Sequence, residues 1–205
     1  MDARWTDEGY LCGSMNFLGH LFLSGEEPLV TVGNFMADAV KGRDLDRFHP
    51  HIRKGIRLHR AIDSFTDQHP LFVTGRARAR IHAGRYAGVV MDLFYDHLLA
   101  AQWERWHPER LEQFAQRMYD LLNINRELLP QRTRQMLPHM VAGDWLTSYA
   151  SIDGIGRALH GLSVRAREGA SISGAERILA ENLNVYADEF AEFLPQVRDH
   201  VEQLK

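Results

Sequence analysis

The sequence predicts an all-α protein, folded as a single-domain helical bundle. Three observations support this prediction. Apolar residues recur at helical spacing through most of the 205 residues. Alternation of apolar and polar residues never persists, and no hairpin dipeptide lies between β-branched runs. The seven prolines fall at or near the starts or kinks of helical segments, where a missing backbone N–H is tolerated.

Ten segments of the chain carry the helical pattern. In chain order they are 16–24, 30–41, 50–67, 70–81, 84–102, 108–123, 125–141, 143–150, 152–167 and 174–203. We expect the last of them to be broken, and we expect the stretch REGASISG that leads into it to be a loop. The fifth segment is apolar on nearly every side, which is typical of a buried central helix.

Composition and charge exclude several classes of protein. The formal net charge of -3 gives no general affinity for nucleic acid. The single cysteine, Cys12, excludes an internal disulfide framework and fits a reducing compartment, so we expect the cytoplasm. No apolar run is long enough to span a bilayer. Residues 1–14 lack the apolar stretch of a signal peptide, and we expect them to be a disordered or upstream extension of one helical domain at 15–205.

Two pairs of polar residues interrupt apolar helix faces. His59 and Asp63 are four residues apart in the third predicted helix, and Asp92 and Asp96 have the same spacing in the fifth. Carboxylates buried without compensation would be very costly. A divalent cation held between facing helices would remove that cost. The structural alternatives are an internal ion pair of His59 with Asp63, and neutralisation of the other two aspartates by Arg85.

Two further pairs have the same spacing. They are Asn16 with His20 in the first predicted helix and Asn34 with Asp38 in the second. Four helices therefore each present two hydrogen-bonding or metal-binding side chains from one face. These residues have structural alternatives as well: the two asparagines could cap helices, and His20 could be a core histidine bonded to a backbone carbonyl.

The residue types favour a hard cation and phosphoester chemistry. Oxygen-rich ligation with one or two imidazoles suits Mn²⁺, Mg²⁺ or Fe²⁺ better than a structural zinc, and one cysteine excludes a thiolate zinc site. Such a cation can lower the pKa of bound water and polarise a phosphoryl oxygen. No nucleophile elbow, Walker loop or dinucleotide-binding glycine motif is present. His97 lies about 100° around the helix from Asp96, so it is a weaker ligand candidate that could line the pocket.

Four motifs, in this order, resemble those of the acyl carrier protein phosphodiesterases, also called ACP hydrolases, which are distant relatives of the HD-domain phosphohydrolases. The motifs are MNFLGHLFLS, GNFMADAVKG, GIRLHRAIDSFTDQHP and YAGVVMDLFYDHLLAAQW. The resemblance covers residues 15–150 well and the remainder loosely. It implies an all-α, HD-like fold and a divalent metal, typically Mn²⁺. It also implies hydrolysis of holo-acyl carrier protein to apo-acyl carrier protein and 4'-phosphopantetheine.

The resemblance also implies roles for individual residues. The implied metal ligands are Asp38, His59, Asp63 and Asp92. The implied catalytic residues are His20, His59, Asp63, Asp96 and His97. In the mechanism we expect, a water activated by the metal attacks phosphorus in line, and His20 or His97 protonates the leaving serine oxygen.

Three residues are expected to support the ligands, and one position departs from the family. Asn34, Asp67 and His69 are the expected supporting residues, although Asp67 and His69 could simply cap a helix end. The family often reads AHLHL where this chain has GHLFL. Phe22 therefore replaces a histidine and cannot bind a metal or transfer a proton there.

Arginines close to the third predicted helix suggest a protein partner. Arg53, Arg57 and Arg60 lie on its outer face, and Arg76 and Arg80 follow in the next segment. Clustered arginines suit the steering of a small acidic carrier protein and contacts with phosphate. A solvated helix face is the alternative for each of them.

Other functions are compatible with the same residues. The second hypothesis is an HD-like metal phosphohydrolase that acts on a nucleotide or another small phosphoester. A third is a helical module that binds a metal or a ligand without turnover. A purely structural bundle leaves the inward carboxylates unexplained.

Overall fold

The computed structural model describes residues 17–165 and 172–204, and these residues form an all-α fold without strands. The α-helices are α1 Phe17–Leu23, α2 Pro28–Met36, α3 Pro50–Gln68, α4 Pro70–Ala83, α5 Ala87–Ala101, α6 Trp103–Trp106, α7 Leu111–Ile124, α8 Gln131–Ala142, α9 Trp145–Ser148, α10 Ile152–Arg165, α11 Glu176–Glu181 and α12 Leu183–Glu202. Single 3-10 turns occupy Ala37–Ala39, Gly84–Tyr86 and Arg126–Leu128. The all-α prediction is confirmed. The expected extension at 1–14 lies outside the described residues, as does Asn16.

The ends of two helices differ from the prediction in ways that matter for the site. Helix α2 begins at Pro28, which suits the first turn of a helix, and the Glu27 side chain accepts a hydrogen bond from the Leu29 N–H. The helix ends at Met36, so Asp38 lies in the following 3-10 turn rather than in the helix. The segment predicted at 84–102 begins later because Gly84, with a positive φ of 54°, ends α4 and starts a separate turn.

Helix α5 is the buried centre of the bundle, as its apolar composition predicts. Helices α1, α4, α10 and α12 all pack against it. Val90, Met91 and Phe94 are fully buried on it, and Leu98 nearly so. Every large side chain near the middle of α5 thus contributes to the core, and a polar group on this helix must find a partner inside the protein.

Helices α2 and α3 cross at backbone contact through two glycines. A Cβ atom at Gly33 would lie 2.2 Å from the carbonyl oxygen of Ile52, and one at Gly55 would lie 2.0 Å from that of Val30. Neither position therefore accepts a side chain without separating the helices. This close crossing places Asn34, and the turn that follows α2, directly beside the polar side of α3.

Helices α3 and α4 form a hairpin whose turn is the single residue His69. Proline begins both helices, and the Nδ1 atom of His69 accepts a hydrogen bond from the Leu71 N–H as the N-cap of α4.

Within the described ranges, no helix combines the length and the apolar character needed to cross a membrane.

Candidate metal centre

Four titratable side chains from three parts of the chain meet, with the two imidazoles buried and the two carboxylates toward solvent. His20 comes from α1, Asp38 from the turn after α2, and His59 and Asp63 from α3. The Nε2 atom of His59 lies 3.1 Å from Asp38 Oδ1 and 3.2 Å from Asp63 Oδ2. The Nε2 atom of His20 lies 3.1 Å from Asp63 Oδ1. We call these four residues the His–Asp cluster.

The two imidazole rings of the cluster are stacked. Their centroids are 3.9 Å apart and their planes are inclined by 17°. One ligand atom from each of His20, His59 and Asp63 lies within 4.8 Å of the others. Two imidazole nitrogens and a carboxylate at this separation can bind the same cation, and Asp38 adjoins the group through His59.

Asn34 fixes the tautomer of His59. Its Nδ2 atom donates hydrogen bonds to the His20 carbonyl oxygen and to the Ser24 hydroxyl, both at 2.9 Å. Because a carbonyl oxygen can only accept, the amide oxygen of Asn34 must face the ring of His59, 3.1 Å from Nδ1. Nδ1 of His59 therefore carries a proton, and in the neutral ring Nε2 presents its lone pair to the carboxylates. A hydrogen bond to the other ring nitrogen is the usual support of a histidine that binds a metal.

The ring nitrogens of His20 indicate whether the cluster is suited to a cation. The residue is 3% exposed, and neither of its ring nitrogens has a hydrogen-bond partner among the described residues. The contact of Nε2 with Asp63 is short but lacks hydrogen-bond geometry. Buried polar atoms are normally satisfied, so an orphaned nitrogen aimed at a carboxylate indicates a missing partner. A divalent cation bound by the cluster would be that partner.

The protonation of the cluster is strongly coupled. Burial and the neighbouring His59 lower the pKa of His20. Burial also disfavours the charged form of His59, but its contacts with Asp38 and Asp63 prevail and raise its pKa to about 9. The pKa of Asp63 lies well below its usual value because contacts with both histidines outweigh burial. Without a cation, His59 thus carries a second ring proton, on the Nε2 atom that faces the two carboxylates, and this positive charge takes the place of a metal ion.

The cluster opens to solvent on its carboxylate side. The side chains of His20 and His59 are 4% and 5% exposed, whereas those of Asp38 and Asp63 are 31% and 29% exposed. Solvent can therefore reach the carboxylate edge, while the imidazoles remain buried. We call this edge the mouth of the cluster.

Asp96 and His97 make their contacts elsewhere. The Asp96 carboxylate accepts hydrogen bonds from the backbone N–H groups of Leu18, at 3.1 Å, and Gly19, at 2.8 Å. It thereby caps the start of α1, and burial raises its pKa to about 8 although both backbone donors oppose that shift. His97 Nδ1 donates to the Tyr149 carbonyl oxygen at 2.8 Å. Neither residue belongs to the compact group of ligand atoms, and a direct part of either in the reaction stays a prediction.

Asp92, Asp67 and His69 are also absent from the compact group of ligand atoms. Asp92 is buried on α5, one turn before Asp96. Its role as a metal ligand stays a prediction. Asp67 is exposed and pairs with Arg76 at 3.2 Å. His69 caps α4 and contacts Gln196 through Nε2 at 3.2 Å, so the alternative of helix capping describes it well.

Three of the five arginines expected to bind a partner have partners within the chain. Arg53 pairs with Asp46, Arg76 pairs with Asp67, and Arg60 donates to the carbonyl oxygens of Val40 and Gly42. The other two are exposed, and the part of the chain that the structure describes offers them no ion-pair partner; they are Arg57 and Arg80.

Phe22 lies in an aromatic group rather than in the cluster. Its ring packs edge-to-face on Trp103 with 5.7 Å between centroids, and it also contacts His107. The Arg198 guanidinium lies over the same ring. The substitution of a family histidine therefore removes a polar group from this aromatic surface, not from the four clustered residues.

Sequence reasoning missed Ser24 and the two crossing glycines. The Ser24 hydroxyl donates to the His20 carbonyl oxygen at 2.7 Å and accepts from Asn34, so it completes the support of both histidines. Its position four residues after His20, at the end of α1, was an available signal. Glycines inside predicted helices, as at Gly33 and Gly55, were a signal for close helix packing.

Comparison with known proteins shows to which family the chain belongs. A family model described as acyl carrier protein phosphodiesterase matches residues 15–197, a range that includes the whole cluster. The chain belongs to the acyl carrier protein phosphodiesterase family. The family expected from the four sequence motifs is therefore confirmed.

Curated relatives of this family cover nearly the whole chain. The protein named acyl carrier protein phosphodiesterase in Pectobacterium atrosepticum is 30% identical over 184 residues, which are 89% of this chain and 95% of the relative. The protein of the same name in Serratia proteamaculans is 29% identical over the same shares. The one in Yersinia pestis is 29% identical over 182 residues, 88% of this chain and 94% of the relative. No solved structure matches the chain significantly.

Proposed function

We propose that this chain hydrolyses holo-acyl carrier protein to apo-acyl carrier protein and 4'-phosphopantetheine. Membership of the phosphodiesterase family supports the substrate. The observation that carries the chemistry is the orphaned, buried His20 stacked on His59 and aimed at the carboxylate of Asp63. Such a constellation is costly in an apolar bundle unless it binds a cation. A cytoplasmic location remains part of this proposal.

The residues that would hold the cation are His20, His59 and Asp63, with Asp38 at the mouth. Two imidazoles and two carboxylates form a mixed nitrogen and oxygen donor set, for which Mn²⁺ is our first choice and Mg²⁺ or Fe²⁺ the alternatives. A bound divalent cation supplies Lewis-acid polarisation of the phosphoryl group and offsets the charge that develops on its oxygens.

The residues of the chain itself would orient the reactants and move the protons. Asp38 is the most accessible carboxylate of the cluster, so we assign to it the proton released by the attacking water. The water oxygen forms the new bond to phosphorus as the bond to the serine oxygen breaks. That oxygen leaves with the proton that Asp38 took from the water, and phosphopantetheine leaves with the phosphate. Asn34 keeps the His59 ring in a single tautomer throughout.

Mass spectrometry of the carrier protein tests this proposal. Purified protein with holo-acyl carrier protein and Mn²⁺ should convert the carrier to the mass of its apo form. A chelator should prevent the conversion, as should Asp63→Asn, which removes a charge from the cluster while nearly keeping its shape. A generic diester such as bis(p-nitrophenyl) phosphate separates carrier specificity from general phosphodiesterase activity. An unchanged carrier mass with every divalent metal would overturn the proposal.

A further inference from the structure

The substrate of the proposed reaction constrains where the carrier protein must bind. The inference that follows rests on the proposed function. The cleaved phosphodiester is attached directly to a serine, so the carrier's own surface must come against the mouth of the cluster. A docking surface therefore has to border Asp38 and Asp63, the two carboxylates with access to solvent.

Residues 40–48 follow Asp38, one of the two carboxylates of the mouth, along the chain, and we call them the basic strap. Chain geometry keeps the Cα atom of Lys41 within about 11 Å of that of Asp38. The strap is tied to α3 at two points, since Arg60 donates to two of its carbonyl oxygens and Arg53 pairs with its Asp46 at 2.6 Å. Val40 and Leu45 anchor it in the core. The strap is thus pre-organised, which lowers the entropy lost when a partner binds.

The strap presents cations outward. Lys41, Arg43 and Arg47 are exposed, and within the described ranges none of the three forms an ion pair. Arg57 is exposed on α3, on the helix face that also carries Arg53 and Arg60. It too forms no ion pair with the described residues. The strap has two carboxylates, of which Asp46 is already paired. A positive surface beside the mouth stands out in a chain whose formal net charge is -3.

Two other surfaces fit these requirements less well. A groove of about 870 Å³ is lined by Val30, Leu58 and Ala61, and no residue of the cluster lines it. Its lining is of mixed charge, because Glu26 and Glu27 lie there together with basic side chains, among them Arg57. On α4, Arg76 is already paired with Asp67. Of the three surfaces compared, the basic strap is the one that joins several cations without an ion pair to a position directly after Asp38 in the chain.

We propose that the basic strap, with Lys41, Arg43 and Arg47, and the adjoining Arg57 form the docking surface for an acidic face of the carrier protein. Arg53 and Arg60, which the sequence suggested as partner contacts, act instead by holding the strap in place. Opposite charges across the rim of an interface accelerate encounter and fix its orientation. The carrier serine would then be directed toward the mouth.

The kinetics of a charge-reversal variant test this surface. Lys41→Glu/Arg43→Glu changes two side chains without an internal ion pair, so the fold should be retained and thermal melting should verify it. We expect the KM for holo-acyl carrier protein to rise about tenfold or more, with a much smaller change in kcat. The milder Lys41→Gln/Arg43→Gln should raise KM about threefold. Added salt should raise the KM of the wild type more than that of either variant.

A matched control separates docking from net charge. Arg157→Glu/Arg177→Glu makes the same change in charge at two exposed arginines on α10 and α11, and its KM should equal that of the wild type. If the wild type releases phosphopantetheine but the strap variants keep its KM, the docking surface is overturned while the proposed function stands. Equal increases in the strap and control variants would overturn it as well. No release by the wild type would overturn both.

Discussion

Replacement of Asn34 by alanine is the perturbation that most clearly couples the fold to the site. The Asn34 side chain is fully buried, and its three hydrogen bonds join α2 to the carbonyl of His20, the hydroxyl of Ser24 and the ring of His59. Asn34→Ala removes all three at once. It leaves the Nδ1 proton of His59 without an acceptor, so the ring can rotate or change its tautomer.

The expected loss of stability and of metal affinity follows from these three hydrogen bonds. A typical buried hydrogen bond contributes about 1 kcal/mol net, and a buried partner left without one costs about 1–3 kcal/mol. The Ser24 hydroxyl keeps its bond to the His20 carbonyl, so the chief loss is at His59. We therefore expect the free energy of unfolding to fall by about 3 kcal/mol. Loss of a supporting hydrogen bond on a ligand should also weaken metal binding by about 10–100-fold.

Two assays measure these effects separately. Urea unfolding of metal-free protein gives the loss of stability, and calorimetric titration with Mn²⁺ gives the loss of affinity. The matched control is Asn125→Ala, because the Asn125 side chain makes a single hydrogen bond, to the Leu121 carbonyl near the end of α7, and its removal should cost about 1 kcal/mol or less. If Asn34→Ala is no less stable than the control and binds Mn²⁺ as the wild type does, the role assigned to Asn34 is refuted.

Three further changes test the elements that position the cluster. Gly55→Ala places a Cβ atom against the Val30 carbonyl, so urea unfolding should show a loss of about 2 kcal/mol or more, whereas unchanged stability would contradict the close crossing. Asp96 keeps its proton to about pH 8 in the native protein but only to about 3.9 when unfolded, so its contribution to stability should decline from about pH 4 to 8. Asp96→Asn should flatten that part of the pH profile, and an identical profile would contradict the cause given for the shift. Arg60→Gln should speed amide hydrogen exchange in residues 40–48 but not in α5, and unchanged exchange would show that Arg60 does not hold the strap.

The parts of the fold that follow from local pattern were predictable. Apolar periodicity predicted the helices, and the nearly continuous apolar character of α5 predicted its central position. The spacing of His59 and Asp63 correctly placed both on one inward face, because that geometry depends on the helix alone. Asn34 and Asp38 were paired for the same reason, yet Asp38 reaches His59 from a 3-10 turn rather than from the helix.

The parts that depend on packing between helices were not predictable in this way. Periodicity directed Asp96 inward but could not reveal that its partners are the backbone N–H groups at the start of α1, since that contact depends on the placement of α1. The outward position of Arg60 suggested a free cation. Only the path of residues 40–48 shows that its guanidinium is used within the chain.

The central claim is that His20, His59 and Asp63 together hold a divalent cation beside Asp38. Anomalous diffraction from crystals grown with Mn²⁺ tests it most directly. The account predicts one anomalous peak bonded to His20, His59 and Asp63 at the solvent-facing edge marked by Asp38. Crystals with Mn²⁺ in excess that show no peak there, with His59 Nε2 still lying between the two carboxylates, would contradict it.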